Sequence, residues 1–132
     1  MRHLVAAAGR EDALSLDSAG TGSWHVGHAP DPRATAAAAE RGIRLEGAAR
    51  QVTVADFDAF DLIVAMDAAN ARDLRRLAPD DAARAKVVLL RDHDPEAGGD
   101  LDVPDPYYGG EDGFETVLDI VERSCRNLLS TI

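Results

Sequence analysis

A short acidic and aromatic segment, residues 105–109, is the first group in this sequence that could do chemistry. Pro106 follows Asp105 directly, and a residue before proline is restricted to extended backbone. The direction of the Asp105 carboxyl is therefore restricted, and Tyr107 and Tyr108 beside it offer flat apolar surfaces. This arrangement suits a general acid at the rim of a pocket for a flat anionic ester. The alternative is a turn, because Asp-Pro is common in turns.

A nucleophile to match this acid would be expected in a glycine-rich loop after a first strand, and the sequence contains no such strand and loop. The chain has one cysteine, Cys125, and Thr131 rather than arginine stands six positions after it. Cys125 lies among apolar residues at helical spacing, and burial raises the pKa of a thiol. We therefore expect Cys125 to be an unreactive core residue.

Three other patterns in the first quarter of the chain need an explanation. Gly20 and Gly22 follow a strand candidate, but a nucleotide-binding loop needs a third glycine or a Gly-Lys-Ser/Thr ending. His25 and His28 have the spacing of a metal-binding pair, yet no further His, Cys or carboxylate pattern accompanies them. We expect no metal and no cofactor. Trp24, the only tryptophan, has polar neighbours in a loop and is expected to be a pocket wall rather than a core residue.

Composition restricts the class of protein. The 132 residues are enough for one domain with a single core, and we expect one domain over residues 1–132. The net charge of −10 is unfavourable for binding nucleic acid or an anionic membrane. No apolar run approaches the ~20 residues that span a bilayer. A single cysteine forms no internal disulfide, so the cytoplasm is the expected location.

Strand and helix patterns alternate along the chain, which predicts an α/β fold with a parallel sheet. Helical spacing and glycine stops predict a first helix that ends at Gly9 and later helices over residues 32–41, from the Thr53 capping box to Phe60, from Asp67 through Leu77, and over residues 111–129. Strands are expected at residues 14–17, 61–66 and 86–90, the last two as continuous apolar runs.

Polar residues mark where several of these helices begin. Asp31 before a proline and Asp67 after the second strand are predicted to cap helices. Thr53 and Asp56 have the spacing of a capping box, with aspartate in place of glutamate. Residues 92–94, an acidic stretch after the third strand, are predicted to be a loop.

The chain resembles the low-molecular-weight protein-tyrosine phosphatases, a family that includes some arsenate reductases. Six strings carry the resemblance in the family's order, at residues 17–21, 24–27, 30–34, 49–52, 66–67, and 105–109 with 114–115. Together they cover nearly the whole chain. The resemblance implies a flavodoxin-like parallel sheet of the low-molecular-weight phosphatase type, lacking the first, internal strand.

The resemblance also implies an activity, the hydrolysis of phosphomonoesters through a cysteinyl-phosphate. In the family, a thiolate in a Cys-x5-Arg loop attacks phosphorus, and the arginine binds two phosphate oxygens. Asp105 matches the acid that protonates the departing tyrosyl oxygen. Trp24, Tyr107 and Tyr108 match the aromatic walls of the substrate pocket, and Ser18 matches a hydroxyl that steadies the phosphate loop. The implied partner is a phosphotyrosine-containing protein or an aryl phosphate.

Two departures from the family's pattern accompany this resemblance. The first matching segment is the end of the helix that follows the phosphate loop, so the nucleophile and its arginine match no residue here. We expect an N-terminally incomplete phosphatase domain, inactive as it stands. Gly47 stands where many relatives have a histidine that hydrogen-bonds toward the loop. The alternatives are a natural pseudophosphatase that binds without turnover and an arsenate reductase, which would need redox cysteines beyond Cys125.

The implied loss of an internal strand predicts a cost in stability. Adjacent strands lie ~4.8 Å apart, so the loss leaves a gap of roughly 9–10 Å that no hydrogen bond crosses. Residues 14–17 would then shift onto the next strand, pair with another chain in a homo-oligomer, or stay unpaired. Chemical denaturation should give a lower midpoint for residues 1–132 than for a form extended by the strand. Equal midpoints and slopes would refute this prediction.

Overall fold

Two parallel strands form the centre of the fold. The first strand, β1 (Ile63–Ala65), pairs in parallel with β2 (Val87–Leu89), with Ile63 opposite Val87 and Ala65 opposite Leu89. The structure is a computed structural model and describes residues 1–22, 26–104 and 113–132. The apolar runs at residues 61–66 and 86–90 are therefore strands of one parallel sheet, as the sequence predicts.

Helices flank the two strands. Their bounds are α1 (Arg2–Ala7), α2 (Pro32–Glu40), α3 (Asp56–Ala59), α4 (Ala68–Leu77), α5 (Asp81–Ala85), a 3-10 helix (Leu90–His93) and α6 (Gly113–Thr131). The glycine stop after α1 is confirmed, because Gly9 has a φ of +69°, which glycine adopts at low cost. The sequence pattern predicts neither α5 nor the 3-10 helix. None of the described helices is long and apolar enough to cross a membrane.

The predicted helix caps are present. Asp31 accepts a hydrogen bond from the backbone N–H of Arg33 at 2.8 Å, and Asp67 accepts one from Asn70 at 2.7 Å. Each of these two bonds satisfies an N–H group that has no partner within its helix. The capping box forms only in part: the Asp56 carboxylate accepts the backbone N–H of Thr53 at 2.8 Å, but α3 begins at Asp56 and its N-cap, Ala55, makes no side-chain cap bond.

The sheet separates two apolar clusters, because side chains of a strand alternate between its faces. Ile63 and Ala65 belong to the α4-side cluster, whose buried members are Phe57, Ala65, Ala71, Leu74, Ala78, Ala83 and Val87. Leu62 and Val64 contact the α6-side cluster, whose buried members are Leu90, Cys125 and Leu128. Cys125 is thus a core residue, as predicted.

A buried carboxylate joins the end of the 3-10 helix to α6. The Asp94 side chain has no exposed surface and accepts bonds from Nε and Nη2 of Arg123 at 2.6 and 3.0 Å. It accepts a third from Nε of Arg91 at 3.2 Å. The Arg123 guanidinium in particular holds the pKa of Asp94 well below its usual range. The sequence predicts only a loop here, and a buried ion pair is the finding that it misses.

The strand predicted at residues 14–17 is wrong. These residues lie outside every described strand, and the described sheet has two strands rather than three. The carbonyl of Leu16 instead accepts a bond from Nη2 of Arg2 at 3.2 Å. A strand exists only through hydrogen bonds to a neighbouring strand, and none of the described residues supplies one to this segment. A single parallel bridge between Gly20 and Gln51 follows it.

Asp94→Asn should lower the free energy of unfolding by about 3 kcal/mol at pH 7, because two guanidinium groups lose their buried counter-charge. The folded pKa of Asp94 lies below the ordinary value of 3.8, so its contribution is full above that value. The contribution is lost as the pH falls through the folded pKa. The wild-type chain should therefore lose stability more steeply than Asp94→Asn as the pH falls below about 4.

Urea denaturation at pH 7, 5, 4 and 3 measures this difference. Asp81→Asn is the matched control, because the Asp81 side chain is 99% exposed and its substitution should cost less than about 0.5 kcal/mol. Parallel pH profiles for Asp94→Asn and the wild-type chain would contradict the assignment.

Candidate active site

Most of the predicted site residues lie outside the described residues. This holds for Asp105, Tyr107, Tyr108 and Trp24, whereas Ser18 is described. The structure does describe the residues that lead into and out of both predicted segments. Their contacts show which parts of the fold hold each segment.

The residues just before Asp105 are held where β1 leads into α4. The backbone N–H of Val103 donates to the carbonyl of Met66 at 2.8 Å. The Asp102 carboxylate accepts a bond from the backbone N–H of Ala68, the first residue of α4, at 2.8 Å. The Val103 side chain packs against the α6-side cluster. Backbone, carboxylate and apolar contacts thus fix this stretch at the carboxyl end of β1.

The residues that follow the predicted acid segment are held by α2. The guanidinium of Arg33 lies over the ring of Phe114, 5.2 Å from its centre. Arg41, just after α2, donates to the carboxylate of Glu115 at 2.5 Å, and this bond is the main reason for its raised pKa. Phe114 and Glu115 belong to the strings that carry the family resemblance. The first turn of α6 is therefore positioned by α2.

The residues around Trp24 line a cavity of about 240 Å³. Gly22 before Trp24 and Val26 after it contribute to the wall, together with Arg50. Asn70 in the first turn of α4 also contributes. The residues next to Trp24 therefore border the same end of α4 that holds Asp102.

The two predicted segments thus share one feature of the fold, the amino end of α4. Ala68 binds the carboxylate of Asp102, and Asn70 borders the cavity that Gly22 and Val26 line. This helix end directly follows the carboxyl end of β1, and open α/β sheets bind ligands outside the carboxyl ends of their strands. The residues next to the acid and next to the aromatic wall therefore converge there.

The loop from Gly20 to His28, here called the Trp24 loop, is held at both ends by residues 49–52. At its start, the N–H of Gly20 donates to the carbonyl of Arg50 at 2.9 Å, and Gly20 accepts from Val52 at 2.9 Å. At its end, Ala49 accepts from Gly27 at 2.7 Å and donates to His28 at 2.8 Å. Four backbone hydrogen bonds therefore fix the span of the loop.

The side chain of Arg50 connects this segment to Ser18. Its two Nη atoms bind both carboxylate oxygens of Asp56 at 3.0 Å, and its Nε donates to Asp17 at 3.1 Å. Asp17 in turn accepts the backbone N–H of Ser18 at 2.8 Å. The hydrogen bond from Arg50 is the largest cause of the lowered pKa of Asp56, and the same pairing raises the pKa of Arg50. Sequence reasoning placed Arg50 in a family string but did not find this role.

Ser18 borders a second cavity, of about 350 Å³, rather than the cavity that Gly22 and Val26 line. Ala49 borders both cavities, which are therefore neighbours. Gly47 also lines the second cavity, with a φ of +97°. A Cβ added at Gly47 would meet no atom within 4 Å, but a φ of this sign is costly for any other residue.

Two further predictions concern metal ligands and the cysteine. Across residues 1–22, 26–104 and 113–132, no group of three or more His, Cys, Asp or Glu side chains could hold a metal ion. Cys125 is buried, and burial raises the pKa of its thiol. The thiolate, which is the nucleophilic form, is therefore disfavoured at this position.

Comparisons with known proteins identify the family. The sequence profile of the low molecular weight phosphotyrosine protein phosphatases matches residues 1–132. A low molecular weight protein-tyrosine-phosphatase of Streptomyces coelicolor is 52% identical over 132 residues, which are 99% of this chain and 80% of the relative. The crystal structure of a protein tyrosine phosphatase from Entamoeba histolytica matches with a TM-score of 0.92 and 35% identity, covering 98% of this chain and 81% of that one. The Bacillus subtilis protein YfkJ matches with a TM-score of 0.89 and 39% identity, covering 99% and 80%.

Arg50→Met should lower the free energy of unfolding by about 2 kcal/mol, because it leaves the half-buried carboxylate of Asp56 without its charged donor. It should also change the native fluorescence of Trp24, the only tryptophan, because residues 49–52 hold its loop. Urea denaturation and emission spectra measure both effects. Arg44→Met is the matched control, since Arg44 is 88% exposed and its ion pair with Glu46 spans 3.7 Å. Equal effects of the two substitutions would contradict the role of Arg50.

Proposed function

The chain belongs to the low-molecular-weight phosphotyrosine protein phosphatase family, and from this premise we propose that it carries the part of the active site that receives the leaving group. In this proposal Asp105 is the general acid. Trp24, Tyr107 and Tyr108 contact the aromatic ring of the substrate, and Ser18 steadies the phosphate-binding loop. The substrate is a phosphotyrosine-containing protein or another aryl phosphate.

One observation carries the proposal: the described residues beside Asp105 and beside Trp24 converge on the amino end of α4. A general acid works only within hydrogen-bond reach of the oxygen that it protonates. The aromatic wall and the acid must therefore border one pocket. If the residues beside Asp105 and beside Trp24 lay at opposite ends of the molecule, the assignment would be excluded. Their convergence on one helix end is what the assignment requires.

The proposed reaction has two steps. A cysteine thiolate attacks phosphorus and the bond to the tyrosyl oxygen breaks, while Asp105 gives its proton to that oxygen. The Asp105 carboxylate then takes a proton from water as the water attacks the cysteinyl-phosphate and releases phosphate. The thiolate and an arginine that binds the phosphate oxygens would come from a Cys-x5-Arg loop. The printed sequence contains no such pattern, and Cys125 is buried with a raised pKa.

Residues 1–132 alone are therefore proposed to be inactive. The buried state of Cys125 also speaks against an arsenate reductase, which needs accessible redox cysteines. A pseudophosphatase is the second candidate, supported by Gly47, which has a glycine-type φ at a position where the family resemblance implies a histidine in many relatives. The net charge of −10 argues against nucleic acid or an anionic membrane as a partner, and the single cysteine supports a cytoplasmic location. Association into a homo-oligomer through the unpaired residues 14–17 stays a prediction.

Hydrolysis of aryl phosphates tests the proposal in two forms of the chain: residues 1–132, and the same residues extended at the N-terminus by a strand and a Cys-x5-Arg loop. We expect no turnover by the first form and turnover by the second. In the extended form, Asp105→Asn should lower kcat by about 10²–10⁴-fold, with a larger loss for leaving groups of high pKa. Asp73→Asn, an exposed aspartate of α4, is the control and should leave kcat unchanged.

Three results would overturn parts of this assignment. Turnover by residues 1–132 that is lost in Asp105→Asn would mean that the nucleophile lies within the chain. A loss in Asp105→Asn that is equal for all leaving groups would reject the acid role. Saturable binding of a phosphotyrosine peptide by an extended form that never hydrolyses it would favour the pseudophosphatase.

A further inference from the structure

The 3-10 helix after β2 places one buried guanidinium next to the stretch that leads to Asp105. The side chain of Arg91 is only 8% exposed. Its Nη1 donates to the backbone carbonyl of Asp102 at 2.9 Å, and the same atom lies 3.5 Å from a carboxylate oxygen of Asp100. Its Nε donates to Asp94 at 3.2 Å. Arg91 thus joins a buried carboxylate to the main chain three residues before Asp105.

The Asp94 carboxylate gives Arg91 a fixed point. Asp94 has no exposed surface and is also bound by two nitrogen atoms of Arg123, at 2.6 and 3.0 Å. The backbone N–H of Glu96 donates to the same carboxylate at 2.9 Å. With four donors on one buried group, Asp94 has little freedom to move. A guanidinium is planar and rigid, so its other edge is equally well placed against the Asp102 carbonyl.

Asp102 and Val103 are also held by residues that directly follow β1. The Asp102 carboxylate binds the N–H of Ala68, and the next N–H, that of Val103, binds the carbonyl of Met66. Between this point and Asp105 stands Pro104, and Pro106 follows. Proline fixes its own φ and restricts the residue before it, so few backbone torsions between Asp102 and Asp105 are free. The main chain that leaves Asp102 toward Asp105 is therefore restricted by its sequence.

We propose that Arg91 is a positioning residue for the general acid, acting by holding the Asp102 carbonyl, three residues before Asp105. This inference rests on the proposed function, in which Asp105 is the acid. Arg91 does not touch the substrate in this scheme. Its role is to hold Asp102, which leads to Asp105, at a fixed distance from the Asp94 carboxylate and hence from the sheet.

Amide hydrogen exchange of residues 1–132, followed by NMR, tests the inference without any need for turnover. In Arg91→Met, exchange at Val103 should accelerate about tenfold, because a hydrogen bond from a charged donor is lost next to it. The amides of Asp105 and Tyr107 should accelerate with it. Arg91→Lys, which keeps one charged donor, should give an intermediate rate.

Arg123→Met is the matched control, because it removes two bonds to Asp94 but contacts no atom of Asp102 among the bonds that the described residues make. It should change exchange in α6 and accelerate Val103 much less than Arg91→Met does, because Arg91 still binds both Asp94 and the Asp102 carbonyl. Equal acceleration of Val103 in Arg91→Met and Arg123→Met, or none in either, would overturn the inference. If Arg91→Met does not fold, the same comparison with Arg91→Lys decides the question.

Failure of this inference is distinct from failure of the proposed function. Unchanged exchange at Val103 rejects the role of Arg91 whatever Asp105 does. If Asp105→Asn leaves the dependence of kcat on the leaving-group pKa unchanged, Asp105 is not the general acid. This holds even if Arg91→Met accelerates amide exchange at Val103. Amide exchange in Arg91→Met and turnover in Asp105→Asn are independent measurements, so each result can be interpreted without the other.

Discussion

The parallel pairing of β1 with β2 is the constraint on which the rest of the structure depends. It sets which side chains enter each apolar cluster, because Ile63 and Leu62 point to opposite faces. It also brings the carboxyl ends of both strands to one edge of the sheet. From the end of β1 come the groups that hold Asp102 and Val103, and from the end of β2 comes Arg91. Asp102 and Val103, which lead to Asp105, are thus held from the ends of both strands.

The Trp24 loop and Ser18 are held through hydrogen bonds of residues 49–52 rather than by the sheet. Residues 49–52 bind both ends of the Trp24 loop, and Arg50 in this segment binds Asp17 and Asp56. The loop and Ser18 therefore depend on a single short stretch that belongs to no described strand. Residues 49–52 therefore have a structural role in this chain that the sequence pattern alone did not reveal.

Much of this fold was predictable because its signals are local. The apolar runs of β1 and β2, the caps at Asp31 and Asp67 and the burial of Cys125 follow from neighbouring residues alone. The strand expected at residues 14–17 is wrong because pairing needs a partner that a local pattern cannot supply. The burial of Asp94 and the bonds of Arg50 were missed for a related reason. Both join residues that only the folded chain brings together, whereas a charged residue by itself predicts an exposed surface.

The backbone conformation of Gly47 limits what this position can carry. Its φ of +97° means that any residue with a side chain placed there would adopt a conformation that costs of the order of 1–3 kcal/mol. Among the described residues, no atom lies within 4 Å of the Cβ that such a residue would add, so the obstacle is the main chain and not a lack of space. A side chain can therefore enter the second cavity from this position only if the surrounding turn also changes its conformation.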